Sequence, residues 1–347
     1  MEKKAAMKGL ISQDRFNTLV SNFKGLPPVL VLGDVGLDKY TYGDVKRISP
    51  EAPVPVLEVS KEWNKLGLAA NVSDNLKSLT VNSTLCGVVG DDSRATLLES
   101  MLEESGLKTW GIVRDASRMT TYKERVTTAT QQICRVDYES RHTLDAAVLK
   151  RFVARCEEFA GGHSGVILED YGKGLFSQEL LAQAISIFTQ AGKLVAVDPS
   201  RSTPPIWYKG AHLLKPNLVE SQIMAEALGY SKEKNVETLA KLLVDKLELE
   251  KVIITLGPQG MAMIDTKKDG KLHLIPTVAN EVYDVSGAGD TAISAISAAL
   301  LVGGTLEEAA WIGNCAAGVV VSKRGTALCT LEELKNFYQT LAARLLS

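Results

Sequence analysis

The sequence lacks the features that mark secreted, membrane and nucleic-acid-binding proteins. Its five cysteines are scattered over 347 residues without a C-x-x-C pair, which favours reduced thiols in a reducing compartment. No apolar run is long enough for a signal peptide or a membrane span. The formal net charge of −2 lacks the basic excess of a general nucleic-acid binder. We therefore expect a cytoplasmic protein whose partners include neither a membrane nor nucleic acid.

Two common site signatures are missing as well. The pattern G-x-x-x-x-G-K-[ST] does not occur, which disfavours a Walker-type ATPase. The four histidines show no metal-ligand spacing, so we interpret them as loop or surface residues. With 45% apolar and 23% charged residues, the composition is that of an ordinary globular protein. The length suits one large domain or two small ones.

The most informative segment begins at Asp284 and reads D-V-S-G-A-G-D-T, just before a predicted helix of small residues. The backbone amides of Gly287, Ala288 and Gly289 can converge on one point because no bulky side chain intervenes. The helix N-terminus adds positive charge there, which favours an anion such as phosphate. A carboxylate beside a phosphate site suggests phosphoryl transfer, with Asp290 taking the proton of an attacking hydroxyl.

Simpler interpretations of this segment stay open. Asp290 could merely cap the helix, and the glycines could merely form a tight turn. Gly287, Gly289 and Ala292 also satisfy the G-x-G-x-x-A variant of the dinucleotide fingerprint. That fingerprint needs an acidic residue at the end of a second strand, whereas the acidic pair 307–308 belongs to a capping box that starts another helix.

Polar and small residues also follow the first apolar run. Asp34 and Asp38 come directly after the predicted strand 29–34 and could accept hydrogen bonds from sugar hydroxyls, or form a turn. Gly67 to Asn71 reads G-L-A-A-N and opens a predicted helix. This turn either holds a ligand against the backbone or allows close packing.

Two segments of the second half could contact a nucleotide. Asn217 and Glu220 lie one helical turn apart, where they could order water around Mg²⁺ near a triphosphate. The alternative is an Asn cap followed by a first-turn acid. Thr255, Gly257 and Gly260 follow a predicted strand and could line a nucleotide site or form a turn.

Strands and helices alternate along the chain, which predicts an α/β fold with a mainly parallel sheet covered on both faces. Strands are predicted at 29–34, 54–59, 83–89, 166–169, 194–197, 212–214 and 252–256. Helices are predicted at 12–24, 69–79, 96–105, 178–191, 217–228, 236–246, 290–302, 306–322 and 331–345. Residues 119–138 are rich in threonine and charge, which is typical of exposed antiparallel strands. With residues 40–59 they could form a small sheet apart from the main core.

Together these segments resemble the ribokinase-like, PfkB-type family of sugar kinases over about residues 29–330. Residues 284–290 are similar to the family signature DTxGAGD, and residues 217–220 to its N-x-x-E motif. The resemblance implies a ribokinase-like fold with a small β-sheet lid, formed by segments of about 40–59 and 119–138. It divides the chain into an N-terminal helical extension, 1–28, and a kinase domain, 29–347. It also implies ATP and Mg²⁺, and usually K⁺.

The resemblance implies a role for each matching residue. For the nucleotide side these are the catalytic base Asp290, the anion-hole residues Gly287, Ala288 and Gly289, the nucleotide-contacting Asn217, Glu220 (through water to Mg²⁺), Thr255, Gly257 and Gly260, and the monovalent-cation residues Asp284 and Ser286. The sugar side comprises Asp34, Asp38, Gly67, Asn71, Arg47, Lys123, Arg125 and Lys173. Asp38 and Asn71 would orient the sugar. Basic groups would hold a distal phosphate of a sugar phosphate substrate.

Within the family, four segments are similar to the branch that phosphorylates heptose 7-phosphate at its anomeric hydroxyl: 33–40, 47–56, 131–137 and 170–174. Two positions depart from the close pattern. Leu68 stands where glycine is usual, and Ser200 stands where lysine is usual, with Arg201 next to it. Both departures concern the sugar pocket and leave the phosphoryl-transfer residues unchanged.

Two other functions stay open. One is a kinase for another sugar, such as ribose, fructose or a fructose phosphate. The other is a catalytically silent sugar- or nucleotide-binding regulator on the same scaffold. Asp290 argues against the regulator, because a binding protein needs the anion cradle but not the base. The exposed lid could pair with a second copy, which predicts a homodimer.

Overall fold

The computed structural model describes residues 10–279, 281–323, 325 and 327–346. A nine-stranded sheet forms its centre, in the order β13-β12-β11-β10-β9-β8-β1-β4-β5. Its strands are β1 (Val29–Gly33), β4 (Ser83–Val89), β5 (Ile112–Arg114), β8 (Gly165–Glu169), β9 (Leu194–Asp198), β10 (Leu213–Leu214), β11 (Lys251–Thr255), β12 (Met261–Asp265) and β13 (His273–Ile275). From β5 to β11 neighbouring strands are parallel, while β12 is antiparallel to both of its neighbours.

A second, four-stranded sheet has the order β3-β2-β6-β7. It consists of β2 (Val35–Ile48), β3 (Pro55–Leu68), β6 (Thr121–Thr127) and β7 (Gln132–Tyr138). Strand β2 changes from buried residues at its start to exposed residues at its end, so the sheet extends outward from the body. The predicted small sheet is therefore confirmed, although β3 is much longer than the predicted strand 54–59 and runs directly into a helix.

Helices cover both faces of the central sheet, as predicted. They are α1 (Gln13–Ser21), α2 (Ala69–Ser78), α3 (Ser93–Glu104), α4 (Ala146–Ala160), α5 (Gln178–Gln190), α6 (Leu218–Ala227), α7 (Val236–Leu247), α8 (Ala288–Leu301), α9 (Leu306–Val321) and α10 (Leu331–Leu346). Short 3₁₀ turns follow at Phe23–Gly25, Pro205–Tyr208 and Gly257–Gln259.

The sequence of strand β1 is continuously apolar because the strand is buried on both of its faces. Val29 and Val31 pack into one hydrophobic cluster, which includes side chains of α1, α2, α3, α8, α9 and α10. Leu30 and Leu32 pack into a second cluster, with α4, α5, α6 and α7. Successive residues of a strand point to opposite faces, so a strand buried on both faces has no position for a polar residue.

Several element boundaries differ from the predictions. The helix predicted at 12–24 ends at Ser21, and the part of the extension before Leu10 lies outside the described residues. Helix α3 begins three residues earlier than predicted, because the Asp92 side chain caps it by accepting from the Ala95 amide (2.9 Å). Helix α4 and strands β5, β12 and β13 were not predicted. Within the described part of the chain, no helix combines the length and apolar character that crossing a membrane requires.

Candidate active site

A polar cavity of about 570 Å³ opens at the carboxyl ends of the central parallel strands. Strands β8, β9 and β11 each contribute their last residue to it, and the first turn of α8 closes one side. This is the edge where ligands bind in open α/β sheets. Its lining includes the predicted residues Asn217, Glu220, Thr255, Gly257, Gly289 and Asp290.

Asp290 lies in the first turn of α8, is 9% exposed and lines this cavity. Its two carboxylate oxygens accept hydrogen bonds from side chains of distant segments. Asn71 donates to Oδ2 (2.6 Å), and the Tyr171 hydroxyl donates to Oδ1 (2.7 Å). Burial raises the pKa of Asp290, while these two donors and Lys215 lower it; the net shift is upward. Asn71, predicted to orient the sugar, thus also contacts the predicted base.

The turn before α8 has the geometry that its glycines allow. Gly287 is the N-cap with a φ of +81°, a left-handed conformation that favours glycine. Ala288 donates its amide to the Val285 carbonyl (3.2 Å). Within the described residues, no acceptor is bound by the amides of Gly287 and Gly289. Two of the three predicted anion-hole amides therefore have no acceptor in the described part of the chain, and the third donates to Val285.

Three carboxylates meet on the floor of the cavity. Oxygen atoms of Glu169, Asp198 and Asp290 lie within 4.8 Å of one another. Lys215 donates to Asp198 (2.8 Å), and a Cβ built on Gly289 would lie 3.8 Å from the Lys215 ammonium. The floor therefore carries a cation next to Gly289 of the turn.

The ionisable groups on this floor shift one another's pKa values. Burial, together with Asp198 and Asp290, raises the pKa of Glu169 well above its usual value. Within the described part of the chain, Glu169 Oε2 has no hydrogen-bond partner. Burial opposes the charge of Lys215, but Asp198 and Glu169 outweigh it and raise the pKa of the ammonium. The groups on this floor therefore raise the pKa of both Glu169 and Lys215.

Asn217 and Glu220 form a capping box at the start of α6. The Asn217 side chain accepts from the Glu220 amide (2.9 Å), and Glu220 Oε2 accepts from the Asn217 amide (2.8 Å). The pair thus forms the helix cap that was the simpler interpretation of these two residues. Glu220 Oε1 faces the cavity, 3.5 Å from Arg201 Nε. An acidic oxygen directed at a phosphate-sized cavity is chemically suited to water-mediated Mg²⁺ binding.

A second cavity, of about 230 Å³, adjoins the polar one and is mostly apolar. The two share Thr255, Gly257, Val285 and Gly289. Gly260 lines the apolar cavity, together with Met261, Ala292, Ala317 and Val321 among others. The polar cavity and the apolar cavity meet at the glycine turn before α8. Together they suit the phosphates and the base of a nucleoside triphosphate.

Asp38 and Arg125 form an ion pair on neighbouring strands of the small sheet, with Nη1 2.6 Å from Oδ1. A Cβ on Gly67 would lie 3.1 Å from Asp38 Oδ2, so only glycine allows this approach without a shift. Lys123 is paired in register with Asp38, and burial lowers its pKa. These residues form one cluster at the inner end of β2.

Two further basic residues of the sugar side have other surroundings. Lys173 pairs with Glu139. Arg47 is exposed near the outer end of β2, nine residues after Asp38. An extended strand separates positions nine apart by roughly 30 Å. The structure therefore does not bring Arg47 to the Asp38 cluster within one chain.

Asp34 supports a loop with its buried carboxylate. It accepts from the amides of Tyr171 (3.0 Å) and Lys173 (3.1 Å) through Oδ2, and from Leu175 (3.3 Å) through Oδ1. Burial and nearby Asp170 raise the pKa of Asp34 to about 6, although the three amides oppose the shift. Asp34 thus fixes residues 171–175 beneath the candidate site.

Asp284 joins two loops beside the glycine turn before α8. Its Oδ1 accepts from the Ser286 amide (2.9 Å), and its Oδ2 accepts from the Gly325 amide (3.1 Å). These contacts fix the carboxylate between the loops. A carboxylate with remaining lone pairs is a suitable ligand for a monovalent cation. Two neighbours of Gly325, Arg324 and Thr326, lie outside the described residues.

Sequence reasoning did not single out Tyr171, Lys215, Glu169 or Asp198 as site residues. A usable signal existed. Glu169 ends a predicted parallel strand, and Tyr171, Asp198 and Lys215 follow such strands within two residues. Their contacts with Asp290 and Gly289 depend on strand order, which the sequence pattern does not specify.

The chain matches the model of the pfkB family carbohydrate kinases over residues 35–334, and it belongs to that family. It is 41% identical over 306 residues to a bifunctional protein HldE of Helicobacter pylori, which covers 88% of this chain and 65% of the relative. An HldE of Aliarcobacter butzleri is 39% identical over 315 residues, covering 91% and 65%. The chain thus spans slightly less than two thirds of these curated relatives.

Solved structures support the fold. Arabidopsis thaliana ribokinase complexed with ribose and ATP aligns with a TM-score of 0.71 at 18% identity, covering 90% of this chain and 99% of that one. Escherichia coli phosphofructokinase-2 in complex with potassium aligns with a TM-score of 0.75 at 20% identity, covering 91% and 99%. The predicted ribokinase-like fold is confirmed. By its family, the chain is a phosphotransferase that acts on a sugar hydroxyl.

Proposed function

We propose that this carbohydrate kinase transfers the γ-phosphoryl group of ATP to the anomeric hydroxyl of D-glycero-β-D-manno-heptose 7-phosphate. The product would be heptose 1,7-bisphosphate, a precursor for ADP-heptose and lipopolysaccharide synthesis. The identity of about 40% to HldE proteins supports this substrate class. One observation carries the chemistry: Asp290 lines a cavity together with Lys215 and Gly289, whose amide has no acceptor among the described residues.

In the proposed reaction, Asp290 accepts the proton of the anomeric hydroxyl while the oxygen of that hydroxyl forms a bond to the γ-phosphorus of ATP. The bond from that phosphorus to the ADP oxygen breaks, so the electron pair leaves with ADP. The amides of Gly287 and Gly289 would donate to the moving phosphoryl oxygens, and Lys215 would balance their charge. The apolar cavity would take the adenine, with the phosphates in the polar one. Ala288 would support the turn rather than donate.

Metal ions would assist the nucleotide side. When bound, Mg²⁺ neutralises phosphate charge, and Glu220 would hold it through water while Asn217 fixes the Glu220 side chain. Asp284 and Ser286 belong to the loop beside which a monovalent cation, K⁺ by family resemblance, would bind. Thr255, Gly257 and Gly260 would contact the nucleotide.

The sugar phosphate would bind at the inner end of the small sheet. Asp38 offers an acceptor for sugar hydroxyls, while Arg125, Lys123 and Lys173 offer positive charge for the distal phosphate. We retain Asn71 as a sugar contact, because one of its two amide hydrogens remains after the bond to Asp290.

The small sheet would act as a lid over this site and as the contact in a homodimer. Exposed apolar side chains on its strands support an interface, namely Val45, Ile48, Val59 and Val136. Residues 29–347 would form the kinase domain, with the 1–28 extension packed on it through α1. The scattered cysteines, without a C-x-x-C pair, and the proposed use of ATP fit a cytoplasmic location.

The direct experiment is a panel of sugars assayed for ADP release, followed by ³¹P NMR of the product. We expect heptose 7-phosphate to give the highest kcat/KM and a new anomeric phosphate signal. A preference for ribose, fructose or a fructose phosphate would contradict the proposed substrate but would still support a sugar kinase. Tight sugar binding by calorimetry without ADP release from any sugar would favour the non-catalytic regulator.

A further inference from the structure

Tyr171 contacts the candidate base, and the proposed reaction assigns its side chain no role. It lies two residues beyond β8, and its hydroxyl donates to Asp290 Oδ1 at 2.7 Å. The other oxygen of the base is bound by Asn71, which is also the expected sugar contact. Tyr171 is thus the donor to Asp290 that has no separate task toward the substrate.

The position of Tyr171 is fixed by buried neighbours. Its amide donates to Asp34 Oδ2 (3.0 Å), and the Lys173 amide donates to the same oxygen (3.1 Å). Asp34 is itself the first residue after β1, at the centre of the sheet. The phenol is therefore anchored to the sheet rather than to a mobile loop, which is the requirement for holding a reacting group in place.

The Tyr171 ring also contacts the small sheet. Lys123 Nζ, on β6, lies 5.3 Å from the ring centroid, within the range of a cation–π interaction. One side chain therefore contacts both the base and a lysine that we assign to the distal phosphate of the sugar.

We propose that Tyr171 is a positioning residue for the general base: its hydroxyl holds the Asp290 carboxylate ionised and oriented toward the acceptor hydroxyl. This inference rests on the proposed function. The two carboxylate oxygens of Asp290 can accept about four hydrogen bonds. The bonds from Tyr171 and Asn71 therefore leave room for a hydrogen bond from the sugar hydroxyl that is to be phosphorylated. Donation to the ionised form stabilises it relative to the neutral acid.

The electrostatic surroundings of Asp290 support this role. The titratable or charged groups that face it are Lys215, Asp38, Glu169, Asp198 and Tyr171. Three of these are carboxyl groups, which disfavour ionisation of Asp290, and Lys215 favours it. Burial, together with Asp290 and Glu169, raises the pKa of Tyr171 well above its usual value, so the phenol stays a donor. Loss of its hydroxyl removes a stabilising contact that the surroundings do not replace.

The test is Tyr171→Phe, with Tyr208→Phe as the matched control. Tyr208 also donates through its hydroxyl to a buried aspartate, Asp170 Oδ2 (2.7 Å), but Asp170 is not the base. We expect Tyr171→Phe to lower kcat at neutral pH at least about ten-fold, with KM for ATP within about two-fold. The acid limb of its kcat/KM profile should move to higher pH. Tyr208→Phe should lower stability without moving that limb.

A second measurement separates this inference from the proposed function. The carboxyl carbon of Asp290 can be followed by ¹³C NMR in the unliganded protein and assigned by its loss in Asp290→Asn. Its titration should move to higher pH in Tyr171→Phe, whether or not a substrate is known. A wild-type protein that phosphorylates no sugar would contradict the function alone, and an unmoved titration would overturn the role of Tyr171.

Should Tyr171→Phe not fold, 3-fluorotyrosine at position 171 keeps the ring and strengthens the donor. The acid limb and the Asp290 titration should then move to lower pH. An unchanged titration in the folded fluorotyrosine protein would also overturn the inference.

Discussion

The Asn71 side chain donates a 2.6 Å hydrogen bond to Asp290 Oδ2 across 219 positions of sequence. It joins the first turn of α2 to the first turn of α8, two helices that pack against each other. The residue predicted to orient the sugar and the residue predicted to deprotonate it are thus direct neighbours. The carboxylate of the candidate base is consequently held before any substrate binds.

The pH dependence of turnover should report this environment. Burial raises the pKa of Asp290 more than Asn71, Tyr171 and Lys215 lower it. Because the deprotonated form is the active base, kcat/KM should rise with pH through a value above that of an ordinary aspartate. Asn71→Asp adds a like charge beside Asp290, so the acid limb should move to still higher pH. An acid limb at or below the usual aspartate value in the wild type would contradict this account.

Leu68 is predicted to carry backbone strain at the junction of β3 and α2. Its φ is +58° and its ψ is −137°, a region that side chains with a Cβ rarely adopt. Leu68→Gly should therefore be more stable than Leu68→Ala by about 1 kcal/mol. Chemical denaturation measures the difference in the free energy of unfolding.

Leu66 provides the control for Leu68, since it lies on the same strand, is 5% exposed against 6%, and lacks a positive φ. There the order should reverse, with the alanine variant more stable than the glycine variant. The same order at both positions would show that Leu68 is not strained.

Lys123 should affect the phosphate of the sugar rather than the nucleotide. Lys123→Met should raise KM for the sugar phosphate about ten-fold or more, because a desolvated charge-assisted contact is lost. KM for ATP should stay within about two-fold. The control is Lys46→Met, an exposed lysine of the same sheet that pairs with Glu58. Equal increases in KM for the sugar phosphate and for ATP would indicate that Lys123 supports the fold and does not contact the sugar phosphate.

The oligomeric state should depend on the outer part of the small sheet. Ile48→Asp, at a side chain that is 60% exposed, should convert a dimer into a monomer in light scattering after gel filtration. Leu274 on β13 is 59% exposed and serves as the control, since Leu274→Asp should leave the dimer intact. A wild-type monomer at micromolar concentration would contradict the proposed interface.

Local sequence signals predicted much of the fold. The apolar run of β1 is a strand buried on both faces, and the capping box at Thr305 starts α9 with reciprocal bonds to Glu308. Helix α4 also had such signals, because Asp145 caps it and its buried residues recur at helical spacing. The short apolar strand β12 follows the turn at Gly260 and pairs antiparallel with β11, so it could have been predicted as the return strand of a hairpin.

The contacts that define the site could not be predicted from local signals. Tyr171 and Asp290 are 119 positions apart, and Asp38 and Arg125 are 87 apart. Their proximity follows from strand order in the two sheets, which turn and periodicity signals leave undetermined. The local pattern of the glycine turn and the family resemblance both indicated Asp290 and the anion-hole amides, but neither indicated the Lys215 ammonium near Gly289.

The most direct test of the account is turnover of Asp290→Asn with the preferred sugar. The amide keeps the size of the side chain but cannot accept the proton. We expect kcat to fall by about 10²–10⁴, with the fold unchanged by circular dichroism and ATP binding retained. A rate within a few-fold of the wild type would contradict the assignment of Asp290 as the general base.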